Sequence, residues 1–412
     1  MLGGSRNLRA GTGGFSWVPG GTGRAAIGKT IGGRDEQRVG ASSVCGADVS
    51  LGTKALAVSA FRGFEAAASA PSRTSCEPIV LMHGFAGFRE IKVGRWTMLE
   101  YFESVRRLLG AMGYRAFAPE VSPFDDPLAR AGQWEEAIDK IRVLTGAEKV
   151  HLVGHSQGGL DARVLVAPAG PPVQTPIGWL AGRGYAPHVA SVTTIATPHF
   201  GSYVADAVEQ DIPGHNVAVM TLKRTMEIIA ALIKRKPQNV DDAVKALTRE
   251  FMLEQFNPII QDAEGVRYYA VAGDPISDDA VIPALRLTYE LLKRQPASVG
   301  GGPNDGLVTV ESSLFGKALP RDDGGAQPVA PHGRANWESL GVLQADHIAE
   351  VGLPLHLLRP NTYDHFAFFA GLAQFLDEAY TAKMTLRMDG QWERVPGGGA
   401  PPRRRRPRRP RP

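Results

Sequence analysis

The chain has 412 residues, 43% of them apolar and 21% charged, long enough to bury the core of one large α/β domain. Its net charge of +4 is set by its ends: residues 397–412 hold seven arginines and no acid, residues 1–70 are also net basic, and the stretch between is net acidic. A mildly acidic body with basic tails excludes a nucleic-acid-binding domain, and the lack of any apolar run of about 18 residues excludes a spanning helix.

In chain order, residues 1–70 are rich in Gly, Ala and Ser with no sustained period and read as a disordered extension. The first thirty lack the apolar core of a signal peptide. Residues 54–61 ahead of the small residues 66–70 resemble one faintly, but Arg62 and Glu65 interrupt the pattern. Localisation therefore stays open between secreted and cytoplasmic. Cys45 and Cys76 have no His or Cys at metal-ligand spacing, so no zinc site is expected; one disulfide and two free thiols both remain open.

The folded domain is placed at 71–396. It begins with the apolar run 78–82, a buried strand that empties into His83-Gly84-Phe85-Ala86-Gly87. A helix is expected over 98–112, with apolar residues at Leu99, Phe102, Val105, Leu108 and Leu109 and a stop at Gly113. Residues 114–119 read as the next strand, 134–144 as a helix, and Val150 to Val153 as another buried strand. This alternation predicts a mainly parallel sheet with helices on both faces, and places functional groups on loops at the carboxyl ends of its strands.

The strand at 150 runs straight into Gly154-His155-Ser156-Gln157-Gly158, the Gly-x-Ser-x-Gly pattern of a nucleophile elbow. Only residues without bulk fit beside a serine on so sharp a turn, and Gly154 and Gly158 supply them. Beyond a strand at 189–195, residues 201–258 turn helical. The apolar stripe of 217–233 reads either as a cap packed on the core or as a lid that opens toward a lipid surface. A strand returns at 266–272, a last helix is expected over 366–380, and 397–412 is a Pro/Arg-rich tail, read as a solvated charge run or a weak attraction to anionic surfaces.

A serine hydroxyl needs a base within reach and an acid to orient that base. In this topology the chain order is Ser, acid, His, which Ser156, Asp305 and His347 satisfy. His365 competes as the base and Asp274 as the acid, whereas His155 and His199 read as packing residues. Backbone N–H groups of Gln157, after the nucleophile, and Phe85, after His83-Gly84, are the natural oxyanion donors.

Five motifs then stand in order: 78–87, 150–160, 189–202 with Thr197-Pro198-His199, Asn304-Asp305-Gly306-Leu307-Val308, and Asp346-His347-Ile348-Ala349-Glu350. Together they resemble bacterial triacylglycerol lipases of the Pseudomonas/Burkholderia type over roughly residues 77–380. The resemblance implies an α/β-hydrolase fold, carboxylic-ester hydrolysis of lipid-like substrates at an oil–water interface, and the roles just given for Ser156, Asp305, His347, Phe85 and Gln157. The chain departs from that family at three points. Ala349 stands where a calcium-ligating aspartate is expected, leaving Asp278 or Asp279 as one carboxylate for an ion that wants six to eight oxygens, so no cofactor is expected to be required. Glu311 stands where a family cysteine would fall, and the secretion signal is missing. The expectation is a monomeric lipase or esterase, with an acyltransferase or polyester depolymerase on the same triad as the alternative and a non-catalytic scaffold as the outlier.

Overall fold

The computed structural model describes residues 77–87, 90–93, 96–210, 220, 240–316, 333–353, 363–377, 384–386 and 392–394, all within the compact unit Asp48–Pro412. The amino-terminal extension, both cysteines, most of the apolar stripe at 217–233 and the arginine tail lie outside the described residues.

A six-stranded parallel sheet forms the centre, built from β1 (Ile79–Met82), β4 (Ala116–Phe117), β5 (Val150–His155), β8 (Val189–Ile195), β9 (Arg267–Gly273) and β10 (Trp337–Leu343). Their spatial order is β10-β9-β8-β5-β1-β4. From β1 the chain first adds β4 on one side, then returns to add β5, β8, β9 and β10 on the other. The direction of growth thus reverses between β1 and β5, and the loops leaving their carboxyl ends diverge there to leave a crevice. Those are the loops of His83-Gly84-Phe85 and of Ser156.

The strands read as continuous apolar runs because both faces are covered. Every residue of β1 and β5 is buried. Ile79, Leu81, Val153, Ile195 and Val271 face one side, where they meet Val105 and Leu109 of helix Glu103–Ala111 and Phe368, Phe369 and Leu372 of helix His365–Leu376. Val80, Met82, Leu152 and Val192 face the other, against Trp134 and Ile138 of helix Pro127–Thr145 and Leu165 of helix Gln157–Val166. Helix Pro127–Thr145 starts where Asp126 accepts from the backbone N–H groups of Leu128 and Ala129 with proline next, and ends at Gly146 with φ 65°.

Two expectations need correction. The helix expected over 98–112 begins only at Glu103, because Trp96–Glu100 (β3) pairs antiparallel with Glu90–Val93 (β2) across a two-residue connection. Gly94 between two short runs is a hairpin signal that outweighs the apolar spacing. The strand expected over 114–119 shrinks to the two residues of β4. Two further hairpins, β6 (Val173–Thr175) with β7 (Gly178–Leu180) and β11 (Met384–Leu386) with β12 (Trp392–Arg394), are too short to stand out in the sequence.

Candidate active site

Ser156 sits at the tip of the turn between β5 and helix Gln157–Val166, with φ 55° and ψ −129°. A residue with a side chain is held there at a cost of order 1–3 kcal/mol, which the packed strand and helix on either side sustain. The flanking glycines are steric necessities. A Cβ on Gly158 would lie 2.3 Å from the Met82 carbonyl oxygen, and one on Gly154 would lie 2.6 Å from the Gly158 backbone.

Asp305 and His347 are buried and joined by a 2.8 Å bond from Nδ1 to Oδ2. The second oxygen of Asp305 already accepts from the N–H groups of Leu307 and Val308, at 2.8 and 2.7 Å. Asp305 therefore acts as acceptor throughout, His347 carries its proton on Nδ1, and Nε2 is left with a lone pair. A second contact, His347 N–H to the Asp305 carbonyl at 2.9 Å, locks the two loops together. No hydrogen bond joins Ser156 Oγ to His347 among the described residues. The ring of His155, the neighbour of Ser156, lies 4.6 Å from that of His347 centre to centre, so the two loops share one site. Such catalytic bonds commonly tighten only with substrate in place.

Phe85 and Gln157 follow β1 and Ser156 respectively. Neither backbone N–H donates a hydrogen bond to any described residue, although the neighbouring Gly84 N–H donates to Tyr101 Oη and Ala86 N–H to the Pro123 carbonyl. Backbone N–H groups inside a fold are mostly paired, so two donors beside one serine without a partner among the described residues stand out.

Beneath the serine runs a chain of buried polar groups that the sequence did not reveal as a unit. His155 Nε2 lies 3.0 Å from Glu350 Oε2, and His155 Nδ1 lies 2.6 Å from Tyr101 Oη. Burial, then the charges of Asp305 and Asp346, push Glu350 well above the usual carboxylate range, while burial and then His347 hold His155 well below the usual imidazole range. Burial thus disfavours charge on both groups, and the Gly84 N–H donates to the same Tyr101 oxygen that His155 Nδ1 faces. His155, His347 and Glu350 bring three potential metal-ligand atoms within 4.8 Å of one another. Both nitrogens of His155 are engaged with Tyr101 and Glu350, an arrangement that suits a hydrogen-bond chain.

Calcium does not fit the acidic residues either. Ala349 is buried and offers no side-chain ligand, Asp278 is paired with Lys293 at 2.7 Å, and Asp279 is 3.4 Å from Arg286. Asp346 accepts backbone bonds on both oxygens, from Ile282 on one and from Ile348 and Ala349 on the other.

Of the competing residues, His365 and His199 pack elsewhere, while Asp274 lies next to the Asn304-Asp305 loop. His365 opens its helix, packed under Gly352, with burial lowering it to about 4. Asp274 is half-buried, and burial raises it to about 6. His199 is stacked on Phe315 and bonded to Thr194 Oγ1.

No family model matches the chain. A triacylglycerol lipase of Vibrio cholerae is 30% identical over 265 residues, which cover 60% of this chain and 76% of that protein. The chain belongs to the triacylglycerol lipase family. A triacylglycerol lipase of Pseudomonas fragi is 29% identical over 273 residues, covering 60% of this chain and 84% of that protein. Among solved structures, Staphylococcus hyicus lipase matches with TM-score 0.50 at 18% identity, covering 75% of this chain and 96% of that one. A metagenomic carboxyl esterase does so with TM-score 0.50 at 20% identity, covering 74% and 77%. The α/β-hydrolase fold expected from the motifs is thus the fold of this lipase-family chain, and ester hydrolysis is its chemistry.

Proposed function

We propose that this chain is a triacylglycerol lipase in which Ser156 is the nucleophile, His347 its base, Asp305 the residue that orients His347, and the Phe85 and Gln157 N–H groups the oxyanion hole. The observation that carries this reading is the pair of N–H donors left unpaired on either side of a serine at positive φ. Ser156 Oγ attacks the ester carbonyl as His347 Nε2 takes its proton, and the carbonyl oxygen, now negative, receives the two N–H groups. His347 returns the proton to the departing alcohol, leaving an acyl-enzyme. Water then attacks by the same route, His347 again acting as base and then as acid, and releases the fatty acid and free Ser156.

Supporting a lipid substrate are the names of the relatives and the apolar stripe in the sequence at 217–233, whose pattern suits a cap or a lid. The direct test is labelling of wild type and Ser156→Ala with a fluorophosphonate probe, followed by hydrolysis of a chain-length series of p-nitrophenyl esters. Labelling confined to the wild type, with turnover that climbs once a long-chain ester passes its solubility limit, is the expected result. Equal labelling of the variant rejects Ser156. A flat response across the solubility limit rejects the lid.

A further inference from the structure

The Phe85 N–H belongs to the same peptide unit as the Gly84 carbonyl, and in a trans peptide the two point in opposite directions. Whatever holds that carbonyl therefore aims the N–H. Gly84 O accepts from Arg130 Nη1 at 3.0 Å, from His83 Nδ1 at 3.0 Å and from Gly87 N–H at 3.2 Å. The tautomer of His83 follows from its other nitrogen: Val121 N–H donates to Nε2 at 3.1 Å, so the proton is on Nδ1. Arg130 also donates through Nη2 to the His83 carbonyl at 2.5 Å, gripping two successive peptide units of the loop.

Arg130 is in turn held by Asp161, Nε to Oδ2 at 2.8 Å, and Trp134 Nε1 donates to the same oxygen at 2.9 Å. Arg130, Asp161 and Trp134 are all fully buried. Asp161 lies on helix Gln157–Val166, whose first residue bears the other unpaired N–H. One ion pair thus couples the loop after β1 to the helix after Ser156, the two elements that present the oxyanion donors.

Stability does not explain this pair. Burying an arginine and a carboxylate costs several kcal/mol in desolvation, and apolar residues of similar volume serve a core as well or better. What an apolar side chain lacks is a cation on the Gly84 carbonyl. Such a contact draws electron density toward the carbonyl oxygen and leaves the N–H at the other end of the unit more positive, the polarisation that runs along chains of hydrogen bonds. We propose that Arg130, tethered by Asp161, is the positioning residue of the oxyanion hole, fixing and polarising the Gly84–Phe85 peptide so that its N–H meets the negative oxygen of the tetrahedral intermediate. This rests on the assignment of Ser156 and Phe85 made above.

The test compares full-length wild type, Arg130→Lys, Arg130→Met, Asp161→Asn and Ser156→Ala, each checked for folding by circular dichroism and thermal melting. Two readouts are taken: kcat and KM for p-nitrophenyl butyrate, and Ki for a trifluoromethyl ketone, whose hemiketal with serine bears the oxyanion. Removing one oxyanion donor costs roughly 10²- to 10³-fold in rate. Arg130→Met should approach the lower figure in kcat with KM little changed, Arg130→Lys should recover part of the loss, and Ki should rise by the same factor as kcat/KM falls. Asp161→Asn, which keeps the shape and one acceptor, should show the same proportionality with a smaller loss. It reads the proposal by itself if the Arg130 variants do not fold. Folded Arg130→Met or Asp161→Asn at wild-type kcat, or a loss confined to KM with Ki unmoved, overturns the proposal. Activity retained in Ser156→Ala overturns the parent assignment instead.

Discussion

Among the described residues a serine, a histidine and an acid come near one another at both ends of the sheet. At the carboxyl ends stand Ser156, His347 and Asp305. At the amino ends, Ser191 of β8 lies 2.7 Å from Nδ1 of His151 of β5, and Glu77 is 3.8 Å from the other nitrogen of that ring. The second set has the composition of the first but not its surroundings. Ser191 is fully buried within a strand, just past a bulge at Ala190, where its ladder partners are His151 and Arg267. Its φ is not positive, unlike that of Ser156. Burial, then the charge of Arg267, lowers His151 to about 3, which makes it a poor base. The difference teaches that the proposed catalytic set is marked less by three side chains than by a serine lifted out of the ladder beside donors without a partner among the described residues.

Variants at the two ends should separate sharply. Ser156→Ala should lower kcat by about 10⁶-fold without altering the melting temperature by more than a few degrees, as read by p-nitrophenyl ester turnover and calorimetry. Asp305→Asn should cost roughly 10⁴-fold, because an amide in that place no longer accepts from His347 Nδ1 and turns the ring to the wrong tautomer. Comparable losses at Ser191 or His151 would erase the contrast.

The amino-end histidine should instead appear in stability. Its folded pKa of about 3 lies below the ordinary value of 6.5, so below about pH 6.5 the unfolded chain takes up a proton that the folded protein refuses. Its contribution is complete above that pH and is lost as pH falls toward 3, at about 1.4 kcal/mol for each unit of displacement. His151→Gln should therefore flatten the acid limb of the melting-temperature profile while turnover at pH 8 stays within about twofold. Smallest of all, Ser191→Ala should leave turnover unchanged and cost about 1–3 kcal/mol in denaturant unfolding, the penalty for a buried ring nitrogen without its partner.

The parts of the site that sequence revealed are those whose chemistry is local. The elbow must place glycines at fixed offsets from Ser156, and the chain order of serine, acid and base narrows the downstream choice to Asp305 or Asp274 with His347 or His365. Glu350 could be seen beside His347, but nothing in the sequence says that its pKa is raised, since burial by segments remote in the chain decides that. Arg130 and Asp161 lie 31 positions apart on different helices, and neither stands in a motif. The helix expected over 134–144 stops short of Arg130, which sits in the first turn of Pro127–Thr145, and the cation's targets are two carbonyls on another loop. The hairpin β2–β3 was obscured by apolar spacing that helix and strand share at Leu99 and Phe102.

The buried chain of Glu350, His155 and Tyr101 bears on the charge that the proposed turnover would create. In that mechanism His347 becomes a cation on taking the serine proton, with the His155 ring 4.6 Å away. Burial already disfavours charge on His155 and on Glu350 alike, and a charged His347 beside them disfavours a cationic His155 further. The fold thus surrounds the floor of the pocket with groups that resist a competing positive charge, and leaves Asp305 as the carboxylate bonded to the imidazolium.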